Sequence, residues 1–61
     1  MIYEAFEDKQ TRGDWRVEAV EEEGEIEIPH YVTLFSGHNA RERAIEYAAW
    51  QNERRQSRAA A

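Results

Sequence analysis

The chain contains no cysteine, so disulfide bonds and thiolate metal sites are both excluded as supports for the fold. With 61 residues it is close to the lower limit at which one hydrophobic core stabilises a domain. Domains of this size usually add a disulfide, a metal or a second subunit. The sequence therefore predicts a single domain over residues 1–61 that depends on tight packing or on self-association, with a homodimer left open. The absence of cysteine also fits a reducing cytoplasm.

Long apolar runs are missing as well. No stretch approaches the roughly 20 apolar residues that a membrane-spanning helix needs. Acidic residues (Glu4, Glu7 and Asp8) stand near the first methionine, where an export signal carries basic ones. We therefore expect a cytoplasmic protein that makes no contact with membranes.

Basic residues are scarce in the first half of the chain. Residues 1–30 contain ten acids and three bases, a balance of −7, whereas residues 31–61 contain three acids and five arginines, a balance of +2. This asymmetry gives the molecule a dipole that can orient a partner or a second copy. The alternative is that the acids only keep strand and turn positions solvated.

Period-two alternation predicts strands over about residues 2–7, 14–21 and 25–35. In the second strand Trp15 and Val17 share one face with Ala19, and their bulk and strand propensity predict that this face is the core. Arg16, Glu18 and Val20 then lie on the other face.

Two residues mark the connection and the shape of the last strand. Gly24 tolerates positive φ and predicts a turn at residues 22–24. Pro29 cannot donate to a sheet ladder, so it suits an edge strand, a bulge or a break between two short strands, and the last strand is expected to bend near this residue.

A helix is predicted over about residues 37–55, followed by a frayed tail over 56–61. Asn39 with Glu42 fits a capping box, and Ser36 is the alternative cap. One stripe of the helix consists of Ala40, Ala44, Tyr47 and Ala48. Small alanines allow close approach to a sheet. The expected fold is α+β: a three-stranded antiparallel meander packed against one C-terminal helix.

The segments Trp15-Arg16-Val17-Glu18 and Phe35-Ser36-Gly37, with the alanine-lined helix that follows, resemble small stand-alone bacterial and phage-borne domains of unknown function. Those domains have three strands followed by a helix, so the resemblance implies a fold and no activity. A more distant similarity is to the N-terminal domain of phage integrases, which places its sheet in the DNA major groove. That mode requires basic residues on the sheet, and the acidic strand half opposes it.

No pattern of catalytic, cofactor-binding or metal-ligating residues stands out. His30 and His38 do not form a paired ligand motif. Residues Glu21, Glu22 and Glu23 are predicted at a turn, where water surrounds carboxylates, and three strands with one helix offer little concavity for a substrate. We therefore expect no cofactor and no enzymatic activity.

The seven aromatic rings exceed the four or five that so small a core is expected to hide. Surplus rings suit an interface, for which Tyr3, Tyr31 and Trp50 are the candidates, together with the acids Glu21, Glu22 and Glu23. The alternative is that these rings only cover the edges of the core.

These observations favour a non-enzymatic binding or regulatory module that acts by protein–protein contact. In a sharper version the acidic half imitates nucleic-acid phosphates and occupies a basic groove on its partner. One alternative is a nucleic-acid-binding domain that uses the helix arginines Arg41, Arg43, Arg54 and Arg55. Another is a structural homodimer subunit.

Overall fold

The computed structural model describes the backbone of residues 1–60 and the side chains of residues 1–54. It consists of strands β1 (Ile2–Glu7), β2 (Trp15–Glu23) and β3 (Ile26–Phe35), followed by helix α1 (Ala40–Ala60). The strands form one antiparallel sheet in the order β1-β2-β3. The α+β prediction is therefore confirmed.

The core lies between one face of the sheet and the alanine stripe of α1. Val17 and Ala44 are completely buried, and Trp15 packs against them half-buried, so the predicted core face of β2 is confirmed. Within the part of the chain whose side chains are described, the buried hydrophobic residues are Val17, Ala19, Ala40, Ala44 and Ala48. None of the seven aromatic rings is fully buried. The core is therefore thin, because small side chains allow the helix to lie close to the sheet.

The β2–β3 hairpin turns at Gly24 and Glu25, whereas the turn was predicted at residues 22–24. Glu23 is paired with Ile26, so the loop has two residues, and Gly24 has a φ of 65°. Positive φ at only the first loop position matches a type II′ turn, which suits the twist of the two strands. Glu21, Glu22 and Glu23, which were predicted at a turn, therefore all belong to β2.

The irregularity of β3 lies at Val32, three residues after Pro29, near which a bend was predicted. Pro29 is paired in register with Val20, whereas Val17 is paired with Thr33 and Glu18 with Tyr31. Val32 is thus the extra residue of a β-bulge. Proline is tolerated because β3 is an edge strand, where a missing N–H can face solvent.

Asn39 occupies the predicted N-cap position directly before α1, but it does not act through the side chain of a capping box. Asn39 has a φ of 57°, and its backbone carbonyl accepts the first helical hydrogen bond from the Arg43 N–H at 2.9 Å. Through residue 54, no hydrogen bond joins the side chain of Asn39 or Ser36 to the first turn. Asn39 acts instead through its tolerance of the left-handed conformation.

Both predicted helix ends differ from the structure. α1 begins at Ala40 because the left-handed residue before it breaks the helical path. It continues to Ala60, beyond the predicted end near residue 55. The last five of these residues include glutamine, arginine and alanine, which favour helix even where the apolar stripe has ended.

Candidate interaction surface

One face of the sheet is not covered by the helix. Paired residues in a sheet share a face, and successive residues along a strand alternate between faces. Since Trp15 and Val17 point toward α1, their neighbour Arg16 lies on the opposite side. We call this the open face. Its residues form three rows across the sheet: Ile2, Val20 and Pro29; then Glu4, Glu18 and Tyr31; then Phe6, Arg16 and Leu34.

The open face exposes large apolar side chains. Ile2 is 54% exposed, Tyr31 66% and Leu34 40%. Phe6 and Val20 are half-buried in the same rows. Exposed apolar side chains gathered on one face of a small domain are typical of an interaction site.

Carboxylates on this face lie opposite one another. Glu4 is paired with Glu18, and near the hairpin tip Glu22 is paired with Glu27 on the same face. Like charges directly opposite each other in a sheet are destabilising. The open face, with the pair near the hairpin tip, has the four acids Glu4, Glu18, Glu22 and Glu27. Arg16 is its one base, so the net charge of this face is −3.

Arg16 is already engaged by acids of its own chain. Its Nε lies 2.7 Å from Oε2 of Glu18, in a contact not aligned as a hydrogen bond, and its Nη1 lies 3.5 Å from Oδ1 of Asp8. Through residue 54, Glu4, Glu22 and Glu27 have no ion-pair partner. As far as the side chains of residues 1–54 go, three carboxylates of the open face are therefore uncompensated.

Substituting Glu27→Lys should raise the free energy of unfolding by about 0.2–1 kcal/mol, because it turns a repulsive cross-strand pair with Glu22 into an attractive one. Urea denaturation measures the change. Glu25→Lys is the matched control, since it alters the net charge equally from the turn and faces no carboxylate in the ladder. Equal stabilisation by both variants would mean that only the net charge matters.

The outer edge of β1 is closed by a side chain of α1. The Tyr3 N–H donates to Oδ1 of Asn52 at 2.8 Å, and Nδ2 of Asn52 donates to the Tyr3 carbonyl at 3.0 Å. The amide thus takes the place of a neighbouring strand at this position. The other edge, β3, is blunted by Pro29 and by the bulge at Val32, two devices that hinder pairing with another strand. Edge pairing is disfavoured on both sides, and the open face remains as the broad accessible surface of the sheet.

The three predicted interface rings do not form one surface. Tyr31 lies on the open face, Tyr3 packs half-buried against the core on the helix side, and Trp50 lies on α1 with its ring centroid 6.1 Å from that of Tyr47. Trp50 is 49% exposed.

The predicted acidic run is divided between the two faces. Alternation along β2 places Glu22 on the open face and its neighbours Glu21 and Glu23 on the other. Glu21 contacts His30, with Oε2 and Nε2 3.2 Å apart. Of the predicted acids, Glu22 is the one that joins the open face.

The helix arginines lie over aromatic rings. Arg41 is 5.7 Å from the ring centroid of Trp15, Arg43 is 5.3 Å from that of Phe35, and Arg54 is 4.7 Å from that of Trp50. These distances are within the range of cation–π contacts. The side chain of Arg55 lies outside the described residues. A shallow groove on this side is lined by Phe35, Arg43, Glu46, Tyr47 and Trp50.

Sequence reasoning missed Ile2, Phe6 and Leu34 as an interaction surface. One signal was available in β1, where both alternating sets contain large apolar residues: Ile2 and Phe6 on one side, Tyr3 with Ala5 on the other. A strand that is apolar on both faces is typical of one covered on both faces. No comparable signal marked Asn52, whose partner is 49 residues away in the chain.

Two further properties concern the described residues only. They contain no cluster of three or more histidine, cysteine or acidic side chains that could hold a metal ion. No helix among them combines the length and the apolar character that spanning a membrane requires.

No protein-family model, curated protein or solved structure matches this chain. The resemblance to three-strand-plus-helix domains therefore stays a prediction.

Proposed function

We propose that this chain is a small non-enzymatic binding module that acts by protein–protein contact. The observation that carries the proposal is the open face, where Ile2, Tyr31 and Leu34 are exposed on the side of the sheet opposite α1. Burying apolar surface is the main favourable term in most protein association. A partner bound to the open face would cover the side of the sheet that α1 leaves exposed.

The thin core supports this proposal. Among the side chains of residues 1–54, the largest that is fully buried is that of Val17, while bulkier apolar residues lie on the open face. Domains of this length gain only about 3–5 kcal/mol from a single core. Ligands that bind the folded state alone add to its stability, so a partner on the open face would also stabilise the domain.

The charge on the open face favours a basic partner. In the sharper form of the proposal, Glu4, Glu22 and Glu27 take the positions of nucleic-acid phosphates in a basic groove. Raising the salt concentration from about 50 to 500 mM should then weaken the complex steeply, because it shortens the Debye length severalfold. Isothermal titration at several salt concentrations gives the slope. Affinity that is independent of salt would remove the mimicry and leave a contact that depends on apolar burial.

The test of the module itself is a tagged pull-down from host lysate, with and without nuclease, read by mass spectrometry. We expect a protein in stoichiometric amount that survives nuclease treatment. Its surface charge then tests the preference for a basic partner. Proteins that disappear with nuclease would contradict protein–protein contact.

Nucleic-acid binding by the helix is the second candidate, favoured by the alignment of Arg41, Arg43 and Arg54 over aromatic rings. Retention on DNA or RNA at about 100 mM salt, abolished by changing these three arginines and Arg55 to glutamine, would establish it. We expect no retention, because the strand half, with a balance of −7 over residues 1–30, repels phosphates.

A further inference from the structure

We infer that the open face binds a cationic amphipathic helix of a partner protein. Apolar side chains of that helix would lie on Ile2, Phe6 and Leu34, and its lysines or arginines would lie at Glu4 and at the Glu22–Glu27 pair. This inference rests on the proposed function and deepens it, by naming the surface and the chemistry of the partner.

The dimensions of the open face fit one helix. Six residues separate Arg16 from Glu22 along β2, which at about 3.4 Å per residue is about 20 Å. An α-helix of about 14 residues spans that length at 1.5 Å per residue. The outer strands are about 10 Å apart, which is close to the diameter of a helix. α1 already covers the opposite face of the same sheet, so a second helix would complete a three-layer arrangement.

The occupant must be cationic because, among the side chains of residues 1–54, none forms an ion pair with Glu4, Glu22 or Glu27 of the open face. Glu4 faces Glu18, whose nearby cation, Arg16, is shared with Asp8. Glu22 faces Glu27. A lysine or arginine placed between the members of either pair would replace repulsion by attraction, and exclusion of water by the apolar rows would strengthen that attraction.

Other occupants fit the open face less well. A second copy would bring a face of net charge −3 against an identical one, and the Arg16 of each copy is already engaged by its own acids. Nucleic acids and anionic lipid surfaces are repelled by the same carboxylates. A strand added at an edge is hindered by Asn52 on β1 and by Pro29 on β3.

The probe for the test is a synthetic 14-residue peptide of leucine and lysine at helical spacing, with a scrambled peptide of the same composition as its control. Binding is measured by titration of fluorescently labelled peptide. The full chain should bind the amphipathic peptide more tightly than the scrambled one. Equal binding of both peptides, or binding of neither, overturns the inference.

Two pairs of variants locate the contact. Tyr31→Ser with Leu34→Ser removes apolar area from the open face and should weaken binding by about tenfold or more. Ile45→Ser with Trp50→Ser removes comparable exposed side chains from α1 and should leave affinity within about twofold.

The role of charge is tested in the same way. Glu4→Gln with Glu22→Gln should weaken binding and make the affinity less dependent on salt. Glu46→Gln with Glu53→Gln, which are exposed on α1, should change the affinity and its salt dependence less. If the variants of the open face and those of α1 lost affinity equally, the peptide would be held by the net charge of the chain, and the inference would be overturned.

Circular dichroism melts confirm that each variant is folded, and heteronuclear NMR shifts on peptide addition give a second readout that needs no variant. Shifts concentrated on Phe6, Arg16 and Tyr31 support the inference. Shifts concentrated on Arg43, Tyr47 and Trp50 would move the site to the helix groove.

The pull-down separates failure of this inference from failure of the proposed function. Capture of the same protein by the wild type and by the Tyr31→Ser, Leu34→Ser variant would leave the module in place and reject the open face. A wild-type chain that captures no protein would reject both. Concentration-dependent dimerisation that the same variant abolishes, seen by sedimentation, would assign the open face to a second copy and make the chain a homodimer subunit.

Discussion

Replacing Asn52 with alanine should lower the free energy of unfolding by about 1–3 kcal/mol, measured by urea denaturation. One side-chain amide satisfies both the N–H and the carbonyl of Tyr3, at 2.8 and 3.0 Å, in a half-buried position. The substitution removes both hydrogen bonds at once. It also detaches the later turns of α1 from β1, because this pair joins parts of the chain that are 49 residues apart.

Two further variants make the test specific. Asn52→Asp keeps an acceptor for the Tyr3 N–H but places a carboxylate against the Tyr3 carbonyl, so it should also be destabilising. Glu53→Ala changes the next, exposed residue and should shift stability by less than about 0.5 kcal/mol. If Asn52→Ala and Glu53→Ala had equal effects, the amide pair would contribute nothing measurable.

The Asn52 variants should also associate more readily than the parent chain. Removing the amide frees the backbone N–H and carbonyl of Tyr3 at the outer edge of β1, and unpaired strand edges are templates for pairing with other chains. Light scattering at increasing protein concentration measures this effect. A variant that loses stability and yet stays monomeric would show that the amide anchors the helix without protecting the edge.

Substituting Ala44→Leu should lower the free energy of unfolding by about 1–3 kcal/mol, because overpacking a closely packed contact forces the helix away from the sheet. Ala44 is completely buried against Val17. A domain of this size has only about 3–5 kcal/mol from its core, so the variant should be partly unfolded at 37 °C. Thermal denaturation followed by circular dichroism measures the loss.

Ala49→Leu is the matched control, since it introduces the same side chain, with the same helix propensity, at an exposed position of α1. Its stability should stay within about 0.5 kcal/mol of the parent. Equal destabilisation at both positions would contradict close packing at Ala44. Stabilisation by Ala44→Leu would mean that the helix–sheet layer has room for three further carbon atoms.

Sequence patterns identified the elements well and their junctions poorly. The core face of β2 and the alanine stripe of α1 follow from local periodicity, and both are confirmed. The turn predicted at residues 22–24 lies at Gly24 and Glu25, the irregularity of β3 lies at Val32, and Asn39 precedes α1 as predicted but in the left-handed conformation. These junctions depend on backbone conformations that several residue types accept, so composition alone leaves more than one solution.

The interaction surface was only partly accessible from sequence. Tyr31 and Glu22 were among the predicted interface residues and lie on the open face, whereas Tyr3 and Trp50 lie elsewhere. Counting surplus rings identifies candidates without saying which side of the sheet each occupies. The composition of the open face follows only from the cross-strand register, which pairs Ile2 with Val20 and Phe6 with Arg16.

The sequence by itself determined the order and type of the four elements, the acidic character of the strand half and the surface by which α1 packs, because these depend on residues a few positions apart. Only the tertiary structure decided which of the two apolar sides of β1 the helix covers, and that Asn52 closes the edge at Tyr3. The physical reason is that one helix can cover one face, and the chain has one helix for two apolar faces. The face left uncovered is set by contacts between distant residues, which no local pattern contains.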